Sequence, residues 1–438
     1  MTGKFARFCI LLTIFLSSYI LFRSPFEGYI TYLVMVMFFP IYVVRYGIPR
    51  LPVLLFTPIL ISGLIYIQVG DNETGLFIKI FIGFFSSVLF YRYVLQAFEY
   101  DVDTLFEMYL KGSVVVSMIG LFQMLSFFVG FGPGFDYSWI LNKWGTSPGG
   151  LGIRLNSIFS EPAYFAGVVG PAFFVSIYNL FFRKNFFIKN WQCIVIITAY
   201  MLTFSTLGII SIFVSAFLLL LNFGFVKYAV IVVPLGFFGY QYAYNNIEDF
   251  RERVDGTTKV FSSDEMPDIN EVHGSSFVLY NNYVIATENF SRNTLFGTGL
   301  GSHPVAFDRY SLTNAPGMIQ INFNKADANS MLLRLLSETG LYGVSVMIWL
   351  VLSNLVPKNR SQNETNWLMS NAILVVILVY LMRQGHYFIN GFPFFLWMYY
   401  YIRKKNVAMA NAETEEEAQA IDKGSSPNEQ LAPIPQAS

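Results

Sequence analysis

The sequence predicts an all-α polytopic membrane protein, and three observations predict it. Of 438 residues, 54% are hydrophobic and only 13% charged, about half the charged fraction of an ordinary water-soluble domain. Apolar runs close to the length that crosses a bilayer core as a helix recur from one end of the chain to the other. Those runs are continuous, whereas a membrane β-barrel would alternate apolar and polar residues.

About twelve spans (eleven to thirteen) follow from these runs, at 5–23, 29–47, 51–70, 75–97, 112–130, 162–182, 190–205, 207–223, 228–245, 329–354, 366–382 and 387–402. The first begins KFARFCILLTIF. Its apolar part is too long for a signal peptide and no small-x-small cleavage site follows, so an uncleaved span is expected. The seventh and eighth spans are short and joined by the turn STLG at 205–208. Lys and Arg favour cytoplasmic loops. With the N-terminus inside, that side collects Arg92, Lys111, Arg183, Lys184, Lys358, Lys404 and Lys405 among others, and the outer loop DNETG at 71–75 is acidic. Both termini are therefore expected in the cytoplasm.

Three stretches are not spans. Residues 131–161 form an outer loop rich in Gly, Pro and Trp, and residues 246–328 form a large outer loop within a membrane domain of 1–405. Residues 406–438 are an acidic, Ala/Pro/Ser-rich tail expected to be disordered. Cys9 and Cys193 both lie inside apolar runs, so no disulfide framework is expected. The zero net charge gives no sign of a nucleic-acid partner, and none is expected.

Outer membrane ends normally avoid arginine, which makes the outward set informative: Arg23, Arg154, Arg251, Arg253, Arg292, Arg309 and Arg383. Arg154, Arg251, Arg253 and Arg383 each fall within a turn or two of a membrane boundary and are expected to converge on one outward cavity. Singly, each is equally well read as a helix-end arginine whose head reaches water. As a set they suit an anion at headgroup level, because the guanidinium fork gives paired hydrogen bonds to phosphate and keeps its charge.

Glu161 lies in RLNSIFSEPAYFAG, residues 154–167. The local pattern reads as a helix start, with Ser160 as N-cap, Glu161 in the first turn and Pro162 where no donor is lost. The helix dipole favours a carboxylate there by about 0.3–1 kcal/mol. Capping thus competes evenly with function, an ionisable group at a membrane mouth being a functional candidate by default. The histidines His273, His303 and His386 are all outward. A lone histidine is more often structural, yet its pKa suits proton transfer near neutral pH. His386, in MRQGHYFINGF beside Arg383, is the stronger candidate.

In the large loop, residues 245–254 continue the ninth span and 275–290 read as an amphipathic helix on the outer leaflet. LFGTGLGSH at 295–303 is a glycine-rich turn; such turns can cradle phosphate, but without a strand before and a helix after it reads as a tight turn. Tyr137, Trp139 and Trp144 suit stacking on sugar rings or, more commonly, an interfacial aromatic belt. DVD at 101–103 reads as a solvated loop. No zinc-ligand spacing occurs, and neither metal nor cofactor is expected.

At RLNSIFSEPAYFAG the chain resembles the bacterial Wzy-type O-antigen and capsular polysaccharide polymerases, in which an arginine precedes a transmembrane helix opened by FSEPAYFA. A late outer loop with FRERV near its start, then FGTGLGS, then ADANSMLLRLLSETGLYG entering the next span, and a final LMRQGHYF continue the likeness over most of residues 1–405. The related O-antigen ligases share this plan but usually carry a His-Asn pair where this chain has Ala328-Asn329. That departure favours polymerase over ligase and leaves the catalytic base open.

The resemblance implies a GT-C-like fold and a metal-independent glycosyltransferase of the bacterial inner membrane, with its active site facing the periplasm. Donor and acceptor would be undecaprenyl-pyrophosphate-linked oligosaccharide units, and a flippase and a chain-length regulator would be its neighbours. Arg154, Arg251 and Arg383, with Arg253, would stabilise the pyrophosphate leaving group. Glu161 or His386 would take the acceptor proton. A carboxylate among arginines keeps a low pKa, so Glu161 is equally a group that orients an arginine. His303, Asn329, Tyr137, Trp139 and Tyr164 complete the expected substrate contacts. A lipid-linked-oligosaccharide flippase is the rival reading, disfavoured because few cations, Lys79 and Arg334 among them, lie within spans and because an outer loop of 83 residues (246–328) is unusual for that task.

Overall fold

The computed structural model describes residues 3–23, 27–223, 225–246, 248–262, 274–314, 322 and 324–422. His273 lies outside the described residues. The chain opens with α1 (Lys4–Phe15), then β1 (Ile20–Phe22), paired antiparallel with β2 (Gly28–Tyr29). The expected span 5–23 is therefore broken at Phe15. Ser18 Oγ donates to the Ile158 carbonyl, and Ile20 exchanges two hydrogen bonds with the Asn142 side chain (2.8 and 2.6 Å). The outer loop thus satisfies backbone groups that a longer helix would have satisfied internally.

Next come α2 (Ile30–Tyr46), α3 (Arg50–Val69), α4 (Thr74–Ala97), α5 (Val102–Phe128) and the short α6 (Gly132–Phe135). The hairpin β3 (Ser147–Gly149) and β4 (Gly152–Arg154) leads to α7 (Pro162–Phe182), α8 (Asn190–Met201), α9 (Thr206–Phe223) and α10 (Phe225–Asn246). The large loop holds α11 (Glu248–Ser262), α12 (Gly274–Arg292) and α13 (His303–Tyr310), and the chain closes with α14 (Met331–Ser353), α15 (Glu364–Arg383) and α16 (Phe392–Asp422). Among the described residues, seven helices, α3, α4, α5, α7, α9, α14 and α15, are long and apolar enough to cross a membrane. The protein is an all-α, multi-pass membrane protein. Their ranges follow seven of the expected spans, except that α5 begins at Val102, ten residues before the expected 112–130, and so takes in Asp103 of the DVD stretch expected as a loop. By contrast α1 and α8 have 12 residues each, about 18 Å of helix against a hydrocarbon core of about 30 Å.

α7 and α15 form the centre. They are apolar on every side and buried along most of their length, as a helix surrounded by others must be. A Cβ on Gly167 would fall 2.7 Å from the Tyr380 ring, so its absence lets the two helices approach closely. At one end of this pair Glu364 accepts from the Tyr178 hydroxyl and pairs with Lys184 at 3.3 Å. At the same end Lys405 pairs with Asp103, and Arg92 lies over the rings of Tyr100 and Tyr401. Basic residues assigned to the inner side thus gather at one end, and Glu161 and His386 lie at the other.

Two loop expectations change. α12 does not lie alone: it packs on α13 and α14, where Asn289 Nδ2 donates to the Ser337 carbonyl at 2.9 Å. The glycine-rich turn is a packing device. Gly299 (φ +90°) would place a Cβ 2.5 Å from the Gly63 Cα in α3, and its amide donates to the Glu338 carbonyl at 2.7 Å. In the tail, residues 406–422 continue α16 as helix instead of disordered chain. Ala and Glu are strong helix formers, and Asn406 ties the start of this extension to Gln362 N and the Arg360 carbonyl, both at 2.9 Å. Residues 423–438 lie outside the described residues.

Candidate functional site

The segment from Arg154 to Glu161 is held from below. β3 and β4 pair Ser147 with Arg154 across a two-residue tip, Gly150-Leu151, and Arg154 Nε donates to the Thr203 carbonyl at 3.0 Å. Leu155, Asn156, Ser157 and Phe159 are buried. The Gln123 amide donates to Asn156 Oδ1 at 2.8 Å and accepts from Ser157 N at 2.8 Å, while Asn156 Nδ2 donates to the Phe159 carbonyl at 2.9 Å. A fully paired buried network of this kind fixes backbone position, so Arg154 and Glu161 are presented from a rigid support.

Glu161, not Ser160, occupies the N-cap of α7, with extended backbone (φ −146°, ψ 153°), and its side chain makes no capping bond. Capping therefore does not account for this carboxylate. It is exposed yet ringed by protein. Desolvation, followed by the nearby Asp327 charge, pushes its carboxyl above the ordinary range, with Lys143 and Arg154 pulling the other way. The expected low pKa among arginines is overturned, because burial and Asp327 outweigh the two cations.

Asp327 stands in the turn before α14. Its Oδ1 accepts from Asn329 N at 3.1 Å and from Asn324 Nδ2 at 3.0 Å. Ala328 and Asn329 both adopt left-handed backbone, φ +56° and +55°, a costly conformation for alanine that persists only where its surroundings impose it. The turn leaves Asp327 Oδ2 3.2 Å from His386 Nε2. His386 is 26% exposed, and the Tyr164 ring lies beside it at 6.1 Å between centroids. Burial pushes the imidazole pKa down, Asp327 pulls it up, and Arg334 and Lys143 push it down. The imidazole turns its Nε2 toward the Asp327 carboxylate at ion-pair distance. Its Nδ1 has no hydrogen-bond partner among the described residues and is placed to accept a proton.

Gly385 makes this approach possible, since a Cβ there would fall 1.5 Å from the Asp327 carbonyl oxygen. Gly385→Ala is expected to separate the two loops, lowering stability by about 1–3 kcal/mol, the usual cost of overpacking. Thermal unfolding in detergent checks this.

A buried ion pair underlies the dyad. Arg334 Nε donates to Glu338 Oε1 at 3.0 Å, one turn along α14, and Arg334 Nη1 donates to the Gly385 carbonyl at 2.9 Å. The Tyr387 hydroxyl donates to Glu338 Oε2 at 3.0 Å, and the Arg334 guanidinium lies 4.5 Å from the Tyr387 ring centroid. The residues on either side of His386 are thereby clamped to α14. Lys143, whose charge acts on both Glu161 and His386, is held by Glu27 and Tyr29 from the N-terminal hairpin.

The structure gathers Glu161, Tyr164 and His386 around Asp327, with Arg154 close enough to act on Glu161. Arg251 is exposed on α11 beside Tyr244, and α11 packs on α10 and α12. The Arg253 side chain lies outside the described residues. Arg383 is half-buried at the last residue of α15. His303 is fully buried between Asn282 Oδ1 (3.0 Å) and Ser337 Oγ (3.4 Å), its pKa pushed down to about 3 by burial and then by Arg334. It ties α12, α13 and α14 together, and its burial removes it from the expected substrate contacts. Asn329 belongs to the Asp327 turn. Tyr137 packs on Trp144, which is buried with its indole donating to the Ser157 carbonyl at 2.7 Å, while Trp139 is exposed.

Sequence reading did not single out Lys143, Asp327 or Glu338, and used Arg334 only to weigh a rival. The available signal was Arg334 and Glu338 four residues apart in an apolar helix, where ionisable pairs are functional candidates. Compared with known proteins, the sequence matches no family model and no curated relative.

Proposed function

We propose that this protein is a Wzy-type polysaccharide polymerase, GT-C-like, with about twelve crossings and its Glu161–His386 end facing the periplasm. The observation that carries the reading is the Asp327–His386 pair, 3.2 Å apart, at a mouth that also holds Glu161, Lys143 and Arg154. Glycosyl transfer to a hydroxyl needs a proton acceptor and fixed cations for a departing pyrophosphate. In the proposed step the acceptor hydroxyl of one lipid-linked repeat unit gives its proton to His386 Nδ1. Its oxygen bonds to the anomeric carbon of the donor, and the bond from that carbon to the lipid pyrophosphate breaks. Asp327 stabilises the imidazolium formed. Arg154 and Lys143 hold the departing pyrophosphate, and Arg251 and Arg383 remain candidates for the phosphates of the second lipid.

Purified protein in nanodiscs, given a matched undecaprenyl-pyrophosphate repeat unit, tests this by the glycan ladder formed. Arg154→Ala is expected to slow extension by about a hundredfold or more, the scale of a lost electrostatic contact to a developing anion. Arg154→Lys recovers little, because a point charge lacks the paired contact. Transbilayer movement without extension would indicate the flippase, and transfer only to lipid A core the ligase.

A further inference from the structure

A groove of about 470 Å³ opens between α2 and α4. At the inner end these helices are tied by rings: Tyr42 lies 6.3 Å from Phe90 and 5.9 Å from Tyr93, and Phe39 lies 5.9 Å from Tyr93. Nearer the site the groove runs along residues 29–36 and 78–86, with Leu21 and Phe22 beside them. Its lining is mostly apolar, including Leu33, Val36 and Ile82, and the charged residue among those lining it is Lys79, exposed one turn into α4. Lysine inside a membrane helix is costly unless its head reaches the interface or meets an anion.

The upper end of the groove joins the site. Tyr29 lines it and donates to Glu27 beside Lys143, and Lys79 is close enough to act on the Glu27 charge. The inner wall is the back of the histidine loop, for Tyr32 lies 6.2 Å from Phe388, and a Cβ on Gly83 would fall 2.8 Å from the Phe388 ring. We infer that this groove seats the isoprenoid tail of one lipid-linked substrate, with Lys79 and Lys143 flanking its phosphate at the mouth. A largely apolar channel beneath two cations matches a single-chain lipid with an anionic head, and Tyr32 and Gly83 in its wall pack on Phe388, two residues after His386 in the chain. The inference rests on the polymerase reading for the identity of the lipid.

Native mass spectrometry from bilayers of phosphatidylglycerol doped with undecaprenyl phosphate tests it without requiring catalysis. Wild type is expected to retain the polyisoprenyl phosphate preferentially. Lys79→Glu and Val36→Trp, the latter at a position 70% exposed and so tolerant of bulk, are each expected to weaken retention about tenfold. A phosphate carrying only two isoprene units should bind wild type and Val36→Trp alike. Retention unchanged in both variants would overturn the groove while leaving the polymerase reading intact. No preference over phosphatidylglycerol in wild type would overturn both.

Discussion

His386→Ala is expected to reduce chain extension by about a hundredfold to ten-thousandfold, the usual contribution of a positioned general base, while the protein still inserts and folds. Because its side chain is 26% exposed and its described polar contact is with Asp327 at 3.2 Å, stability should change little. Asp327→Asn is the sharper probe. The amide keeps the shape of the carboxylate but not its charge, so the imidazolium formed during transfer loses its stabilising partner. A loss on the order of tenfold or more is expected, one pKa unit of imidazolium stabilisation. The pH profile separates this role from a structural one. Activity requires neutral imidazole and falls as pH drops through the histidine pKa. Burial lowers that pKa and Asp327 raises it. Removing the carboxylate leaves the lowering influences opposed only by the weaker pull of Glu27, so the acid limb of the profile should move to lower pH while the plateau falls. An acid limb unmoved by Asp327→Asn would take His386 out of the base role, and so would a fully active His386→Ala protein.

The sequence showed the membrane class and the placement of long helices because hydrophobic run length is a local property set by bilayer thickness. α7, read from Pro162 to residue 182, is the clearest case. It failed where tertiary contacts override the run. The first segment stops at Phe15 because Asn142 and Ile158 in the outer loop take over its backbone and side-chain partners. Ser160 looked like the cap, yet Glu161 holds that position with its side chain elsewhere. Of the site, His386 and the pair Arg154 and Glu161 were legible as ionisable residues at membrane mouths. Asp327 was not, since its meaning comes from a left-handed turn at Ala328-Asn329 and from the missing side chain of Gly385, which only the packed structure brings together. Of the outward arginines, Arg154 stands where its charge acts on Glu161, and Arg251 stands exposed on α11, placements that charge at a membrane boundary does not distinguish.

Arg334→Met is expected to cost about 3–5 kcal/mol of stability, since it leaves Glu338 buried without its cation. Both side chains are almost wholly inaccessible, 3% and 0% exposed. Glu338→Gln should be comparably harmful for the mirrored reason. The double variant Arg334→Met/Glu338→Leu discriminates between two roles for the pair. Apolar replacement of a buried ion pair is often neutral for stability, although here the Gly385 carbonyl and the Tyr387 hydroxyl would lose their partners, so recovery should be partial. If the pair only fills the core, activity should return along with the melting temperature. If it clamps residues 385–387 around His386, the double variant should regain much of its thermal stability and still extend chains poorly, because a base displaced by as little as about 1 Å loses on the order of a hundredfold. The second outcome is expected, because the pair reaches beyond α14: one partner holds the backbone immediately before His386 and the other the side chain immediately after it.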